Sequence, residues 1–491
     1  MSTYNSTTIA GLDTTTPLEG AGNSFIPELN DAVREIKTCI KGDVTGSGKL
    51  VMQNQPTINW SADGPVLTNL LTNSQWMACS GSTLENVGSN LGQNFANTAV
   101  YPFETFTISG LAITSAINSS GFGYCNAAVT CVVGKLYRLQ FTPTVTSGTA
   151  PQVYVSEAID TSGTRAIIPF QVTTGVAVDV TFEATATTQY ISIGVGTGVA
   201  TNFSTTAYTL YEVTPGYVAA DTLAPDTMTK TSTLDIHQYW NAGSANTYGY
   251  GKYLLKLTKG AATAEYLNFG TAINYRDCQG KPVTLGCYVY SVTATDNIKL
   301  SIHDGLTEVG LSSTFVGANA ITWVELTATL AAGATALTPR ILCDGTAADV
   351  AYISHPMLVR GTSIGAGNYQ PIPNEVIYLQ AVTTSTNFSG TQGLSSGQVI
   401  NLESDSAGRI GKGVRSVMIR LKSHNNTVGK WLSCYQATTN AQYGVTLGSY
   451  VSDVGMYANG IVPCDSNGDI YINADDVNFH NIEIIYQAIQ T

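Results

Sequence analysis

Charge is what this sequence has least of. Asp, Glu, Lys and Arg make up 11% of its 491 residues, against about 25% in an average soluble domain. Exposed helix faces are built largely from Glu, Lys and Arg, so the scarcity argues against a helical protein. The charges present are unbalanced: 22 basic against 34 acidic residues give a formal net charge of −12. No Lys/Arg cluster is present to neutralise phosphates, so nucleic acid is not an expected partner. Long apolar runs are missing too. None reaches the ~18 residues of a membrane-spanning helix, and membrane insertion is not expected. The opening MSTYNSTTIAGLDTTT has no basic segment followed by an apolar one. A secretory signal is therefore not expected, and synthesis in a cytoplasm is.

Motifs of reactive chemistry are equally scarce. The five histidines (His237, His303, His355, His424 and His480) form no HExxH or HxH pattern that would bring two ligands onto one face. There is no GxSxG nucleophile turn and no short-period repeat of the kind that builds long β-helices. Glu403 and Asp405 are a carboxylate pair, but two acids on one strand or turn are most simply surface residues. Enzymatic activity is not expected. The nine cysteines (Cys39, Cys79, Cys125, Cys131, Cys278, Cys287, Cys343, Cys434 and Cys464) are odd in number, with no CxxC pair. They read as small buried hydrophobes rather than as a disulfide framework or a zinc site.

What the chain has in quantity is glycine (48), tyrosine (26, against 13 Phe and 5 Trp), and a visible excess of Thr, Ser, Asn and Val. These residues suit short strands and tight turns. The expected fold class is all-β: a short N-terminal helix, two tandem jelly-roll β-sandwiches and a C-terminal β-sandwich tip. The expected domains are an arm at 1–58, sandwiches at 59–218 and 219–374, and a tip at 375–491.

The helix is expected over residues 26–41. Ser24 is placed to cap it, Pro27 lies in its first turn and Gly42 stops it. Ile26, Leu29, Val33, Ile36 and Ile40 are spaced 3, 4, 3, 4, an a/d seam of the kind that drives self-association. The alternative is a short amphipathic helix packed on its own domain.

Further on, the chain repeats itself. Gly134-Lys135-Leu136-Tyr137-Arg138-Leu139-Gln140-Phe141 is matched by Gly280-Lys281-Pro282-Val283-Thr284-Leu285-Gly286-Cys287-Tyr288. The closing run Tyr208 to Val213 is matched by Tyr352 to Val359, at an offset close to 145 residues. Each landmark is a turn entering an alternating strand or a final strand, which implies two sandwiches with a boundary near Pro215 to Pro225. After Ile372-Pro373-Asn374, Val414 to Lys422 alternates cleanly, and the last strand is read at Asn481 to Ile489.

Aromatic residues are the best ligand candidates. Tyr239, Trp240, Tyr248, Tyr250 and Tyr253 crowd one polar stretch. Trp431, Tyr435, Tyr443, Tyr450 and Tyr457 lie among Thr, Asn and Gly in the last domain. Flat rings with a polar handle suit stacking on sugars; the alternative is that they fill cores. One calcium-like frame is present: Asp465, Asn467, Asp469, Asn473 and Asp476 occupy alternate or terminal loop positions. Ile470 stands where the calcium loop requires glycine, and the run also reads as a plain turn.

Three stretches resemble known families. Ser24 to Lys37 (SFIPELNDAVREIK) is similar to the N-terminal helix of bacteriophage tail-fibre and tail-appendage proteins, which implies docking of the arm onto a virion. Asn69-Leu70-Leu71-Thr72-Asn73-Ser74-Gln75-Trp76, with the GK-x-Y-x-L strand and the closing strands, resembles jelly-roll carbohydrate-binding modules. Pro463-Cys464-Asp465-Ser466-Asn467-Gly468-Asp469-Ile470-Tyr471 and the final strand are similar to C-terminal domains of phage tail proteins. Together the resemblances imply a homotrimeric virion appendage that recognises a bacterial surface glycan or protein receptor. Two alternatives stand beside it: a purely structural virion part, and a non-viral multi-module carbohydrate binder.

Overall fold

The computed structural model describes residues 67–489, apart from 120, 160–164, 197, 219–221, 242–246, 293–297, 313–314, 316–318, 373–374, 385–397, 412–415, 426–427, 437–443, 449–453, 466–467 and 475–479. The expected arm and its seam (Ile26, Leu29, Val33, Ile36, Ile40) lie outside the described residues. What is described is all-β, with one single-turn α-helix, α1 (Leu402–Asp405), and a 3-10 turn at Tyr275–Cys278. Among the described residues no helix is long and apolar enough to cross a membrane.

Among the described residues the first sandwich holds thirteen strands. They are β1 (Thr83–Val87), β2 (Ala96–Asn97), β3 (Thr105–Ser109), β4 (Ala112–Asn118), β5 (Gly123–Thr130), β6 (Leu136–Phe141) and β7 (Pro143–Gly148). Then follow β8 (Gln152–Ser156), β9 (Arg165–Gln171), β10 (Val178–Glu183), β11 (Thr188–Val195), β12 (Thr201–Thr205) and β13 (Thr209–Tyr217). The second sandwich runs from β14 (Thr229–Lys230) through β15 (Asp235–Trp240), β16 (Tyr253–Thr258), β17 (Glu265–Asn268) and β18 (Pro282–Ser291). It ends with β19 (Ile298–His303), β20 (Glu308–Leu311), β21 (Thr322–Thr329), β22 (Thr338–Cys343) and β23 (Val350–Arg360). The C-terminal part contributes β24 (Glu375–Thr384), β25 (Gln398–Asn401), β26 (Ser416–Asn425), β27 (Trp431–Tyr435), β28 (Val445–Gly448), β29 (Val454–Pro463), β30 (Asp469–Ala474) and β31 (His480–Ile489).

Alternation sets the faces. In β6, Tyr137, Leu139 and Phe141 point into the first core while Arg138 and Gln140 point out, as a period of two requires. Strand order then displays the repeat. The first sandwich pairs β2-β5-β11-β8-β9, and the second pairs β14-β17-β22-β19-β20; β10-β6-β13 is matched by β21-β18-β23. Even the turn bonds recur. Gly134 N donates to Ala184 O and Ala184 N to Lys135 O; at the same offset Gly280 N donates to Leu330 O and Leu330 N to Lys281 O. Both turns need a glycine at positive φ (Gly134 +84°, Gly280 +69°), where a side chain is strained.

The copies are not strung in series. Asn69 to Cys79, the run expected to open the first sandwich, packs with the second. Leu70 N donates to Leu358 O, Thr72 N to Gly270 O and Asn69 Nδ2 to Pro356 O, at 2.8–3.0 Å. Leu71, Trp76 and Met77 belong to the core that also holds Leu255, Phe269 and Ile353. The chain then leaves along β1 and returns along β13, which pair antiparallel from Thr83↔Gly216 to Val87↔Glu212. Across this neck Ser80 donates its N–H (2.9 Å) and its hydroxyl (2.6 Å) to the Asp226 carboxylate. The first sandwich is thus an insertion into the second, entering and leaving through adjacent strands, which is the geometry that tolerates insertion. Pro215 to Tyr217 continue β13 as strand: Gly216 and Tyr217 pair with His237 and Ile236 of β15, so one nine-stranded sheet runs through both sandwiches.

The C-terminal sheets β24-β31-β26-β29 and β25-β30-β27-β28 extend the second core through Ile377, Ile400, Leu402 and Ile410. All eight described cysteines are buried. Burial pushes the Cys79, Cys125, Cys287, Cys434 and Cys464 thiols far up, and Cys131 up to about 12. They stay protonated and act as small hydrophobes.

Candidate functional site

The outer face of the nine-stranded sheet, within the second sandwich, carries rings where polar residues are the norm. Register places Tyr239 opposite Leu254, Tyr352 opposite Tyr290, and Tyr288 between Ser354 and Trp323. The alternate residues Ile236, Leu255, Ile353 and Val289 point the other way, into the core. The segment after β15 folds back over this face. Tyr248 stacks on Tyr352 (4.4 Å between centroids, 10°) and meets Tyr239 and Tyr290 edge-on at 5.6 and 5.0 Å. Tyr250 meets Tyr288 edge-on at 4.6 Å. Offset and edge-on pairs of this kind are the favoured aromatic geometries. Asn241 Nδ2 holds the fold-back by donating to Gly249 O (3.2 Å) and Gly251 O (3.1 Å), and Tyr250 N donates to Ser354 Oγ (3.1 Å).

A β-bulge shapes the second half of the layer. Gly286 faces Met357 and Tyr288 faces Ser354, so His355 and Pro356 together oppose Cys287 alone. His355 takes φ +48°, which re-aims its ring. The imidazole stacks on Tyr369 (4.1 Å, 4°), and burial lowers its pKa to about 4, so it is neutral at pH 7. Trp323 is fixed by donating Nε1–H to Glu325 Oε2 (2.9 Å). The same carboxylate accepts from Ile364 N (3.1 Å) and Gly365 N (2.8 Å). Burial pushes Glu325 up, but those backbone and indole donors outweigh it and hold the carboxyl below its usual range. Gly367 N donates to Tyr288 Oη (2.8 Å). The result is a pinned aromatic slab. Tyr290 and Tyr352 are 8% exposed, while Tyr250 opens to solvent at 37% on its edge. Such a surface offers flat apolar faces and phenol hydroxyls.

The expected candidates divide accordingly. Tyr239, Tyr248 and Tyr250 come together in the slab. Trp240 and Tyr253 do not: they pack on each other (5.4 Å), and Trp240 lies against the Gly134 turn of the first sandwich. Trp431 is half-buried in β27, and Tyr435, at 3% exposed, sits inside the C-terminal core and presents no ring to a ligand. Tyr457 is exposed on β29. Tyr443 and Tyr450 lie outside the described residues. The reading of Glu403 and Asp405 as surface acids is corrected: both are buried in α1, and Glu403 Oε1 accepts from Tyr253 Oη at 2.5 Å.

Of the calcium frame, Asp465, Asp469 and Asn473 are described: the first two form a turn, and Asn473 lies in β30 opposite Ser433 of β27. Asp465 Oδ1 accepts from Asp469 N (2.9 Å), its Oδ2 from Tyr471 Oη (3.3 Å), and Asp469 Oδ1 from Asn401 Nδ2 (2.8 Å). Asn467 and Asp476 lie outside the described residues. Among the described residues no three His, Cys, Asp or Glu side chains are grouped to hold a metal ion.

Sequence reasoning missed Tyr288, Tyr290, Trp323, Tyr352, His355 and Tyr369, which the fold brings in from three further strands and a loop. One signal was present: Tyr288 and Tyr290 occupy alternate positions of a strand already recognised, on the face its core residues leave free.

No family model matches this chain, and no curated protein matches it. Several solved structures show a weak likeness. The N-terminal CBM22-1–CBM22-2 tandem domain of Xyn10C from Paenibacillus barcinonensis is 12% identical, over 56% of this chain and 98% of that one, with a TM-score of 0.21. TmCBM61 in complex with β-1,4-galactotriose is 14% identical, over 29% and 98%, with a TM-score of 0.16. The structure of Sulfolobus turreted icosahedral virus is 10% identical, over 88% and 98%, with a TM-score of 0.15. At such TM-scores none of these likenesses carries an argument.

Proposed function

We propose that this chain binds glycans through the aromatic outer face of its second sandwich, and does so as a virion appendage attached by its N-terminal arm. One observation carries the first half. A sheet face that alternation would leave polar is instead paved with Tyr239, Tyr248, Tyr288, Tyr290, Trp323 and Tyr352, and ends at the exposed Tyr250. Rings held rigid in advance lose little entropy on stacking against a sugar. The second half rests on the N-terminal resemblance and on the self-association seam. A trimer would multiply weak sites into avid attachment. This reading needs neither covalent chemistry nor a bound Ca²⁺.

Affinity electrophoresis of the full chain against soluble polysaccharides tests the binding. Tyr250→Ala is expected to weaken it about fivefold; unchanged retardation removes the face from the reading. Light scattering tests the assembly, with a mass of three times 51.7 kDa expected and a monomer overturning it. A purely structural virion part has one observation in its favour: most of the slab's rings pack on one another rather than face solvent.

A further inference from the structure

We infer that the first sandwich carries a second, separate glycan site, on the outer face of the sheet β2-β5-β11-β8-β9, for a neutral hydroxyl-rich oligosaccharide. The inference rests on the glycan-binding reading above but uses none of its residues. Tyr124 of β5 lies flat across β11, above Gly194, where an added Cβ would come within 2.0 Å of the Tyr124 ring. It reaches Tyr154 of β8 (5.9 Å, edge-on). This ring floor supports an exposed pair: Phe122, 5.9 Å from Tyr124 at 21°, and Tyr101, 5.1 Å from Phe122. The pair is 42% and 41% exposed.

The pair is held in place by backbone. Residues 96–101 run along the edge of β5, with Thr98 N donating to Tyr124 O (3.2 Å) and Tyr124 N to Tyr101 O (2.8 Å). Asn97 closes the loop by exchanging hydrogen bonds with the Phe103 backbone (2.8 and 3.1 Å).

Beside this platform, on the same face of β5, lies an open groove of about 420 Å³. It is lined by Gly92, Gln93, Asn94, Ala96, Asn126 and Ala128. Asn126, 8% exposed, lines the groove on the same face of β5 as Tyr124. Its amide offers two donors and an acceptor to a polar ligand there. No charged side chain lines the groove, so it suits hydroxyls rather than phosphate, carboxylate or an amine. At about 3.3 Å per residue, the strip from 122 to 128 is about 20 Å long, which fits a chain of sugars rather than one. A second copy of the protein is a poor occupant. Stable self-interfaces bury more than about 1,000 Å², whereas the apolar part here is three side chains, Val100, Tyr101 and Phe122, next to amides.

Affinity electrophoresis of the full chain in gels containing galactan, xylan or anionic alginate tests this. Tyr101→Ala/Phe122→Ala is expected to weaken retardation by a neutral polymer at least tenfold, and Ala128→Arg, which fills the groove and removes no ring, by a similar factor. Tyr250→Ala leaves that first-sandwich contribution intact. If the wild type is retarded but both first-sandwich variants match it, the second site is overturned and the reading above stands. Retardation by neither neutral polymer overturns both. Retardation by alginate alone overturns the neutral-ligand assignment. A lower mass by light scattering for Tyr101→Ala/Phe122→Ala gives the patch to a second copy and overturns the site.

Discussion

The two sandwiches share strand order and turn bonds but dress opposite sheets. In the first, the nine-stranded sheet shows solvent an ionic face: Arg138 grips Asp179 through two hydrogen bonds (2.7 and 2.5 Å), and Lys135 pairs with Glu212 at 2.7 Å. Its other sheet carries the rings. In the second, the nine-stranded sheet carries the rings and the other sheet is ionic. There Lys299 pairs with Asp344 (2.6 Å), Arg340 with Glu308 (3.5 Å), and Arg340 lies over the Tyr266 ring (4.3 Å). Inward faces must remain apolar for either copy to fold, so the repeat persists there. Outward faces bear no such demand, and there the copies diverge. In both, a glycine in mid-strand marks the ringed sheet: Gly194 beneath Tyr124 and Gly286 beneath Trp323.

The largest effect is expected where the copies interlock. Trp76 is fully buried in the second core, although it precedes the whole first sandwich in the chain. Trp76→Ala should destabilise by about 3–5 kcal/mol. Hydrogen exchange should accelerate in β16, β18 and β23 and stay unchanged in β5 and β11. Faster exchange in the first sandwich instead would break the nested arrangement.

The two marker glycines come next. An added Cβ at Gly194 falls 2.0 Å from Tyr124, and one at Gly286 falls 2.2 Å from Trp323. Overpacking of this kind costs about 1–3 kcal/mol. Gly194→Ala and Gly286→Ala should each lower the denaturation midpoint. Near-ultraviolet circular dichroism should show Gly286→Ala altering the tryptophan band and Gly194→Ala only the tyrosine bands. Identical spectra for the two would mean that the layers are not independent.

The ionic faces should matter least. Arg138 and Asp179 are partly exposed, and such pairs contribute about 0–1 kcal/mol. Hydrogen bonding to Arg138 lowers the Asp179 pKa below its usual 3.8. The pair's contribution is therefore present above that value and is lost as pH falls through the depressed one. Asp179→Asn should shift the midpoint only slightly at pH 7 and not at all in strong acid. A large shift at pH 7 would mean that the ionic face is a structural clamp.

Local pattern made part of this architecture legible. The GK turns and the alternating strands after them carry their own signal, because a positive-φ glycine and a period of two are read within ten residues. The nesting was not legible, since Asn69 to Trp76 sits in sequence beside the sandwich it does not join. Pro215 to Tyr217 suggested a linker, yet Leu84 of β1 pairs with Pro215 and keeps it in strand. The candidate site was half visible. Tyr239, Tyr248 and Tyr250 lie together in the chain, while Tyr288, Trp323 and Tyr352 meet them only through pairing of β15, β16, β23, β18 and β21. Tyr435 resembled an exposed ring by composition and proved to be core, because composition does not say which way a strand residue points.

Strand β13 begins in one sandwich and ends hydrogen-bonded to the other. A flexible tether between two modules lets each search independently, so the second contact is won only at the concentration its linker permits. Here the backbone acts as a splint. The spacing between the two ringed faces is set by that shared sheet, so if both faces bind as proposed, a polymer whose repeat matches the spacing would meet both at once. On the proposed reading the protein would then measure length, and a short fragment of the same polymer is expected to compete poorly with the intact chain.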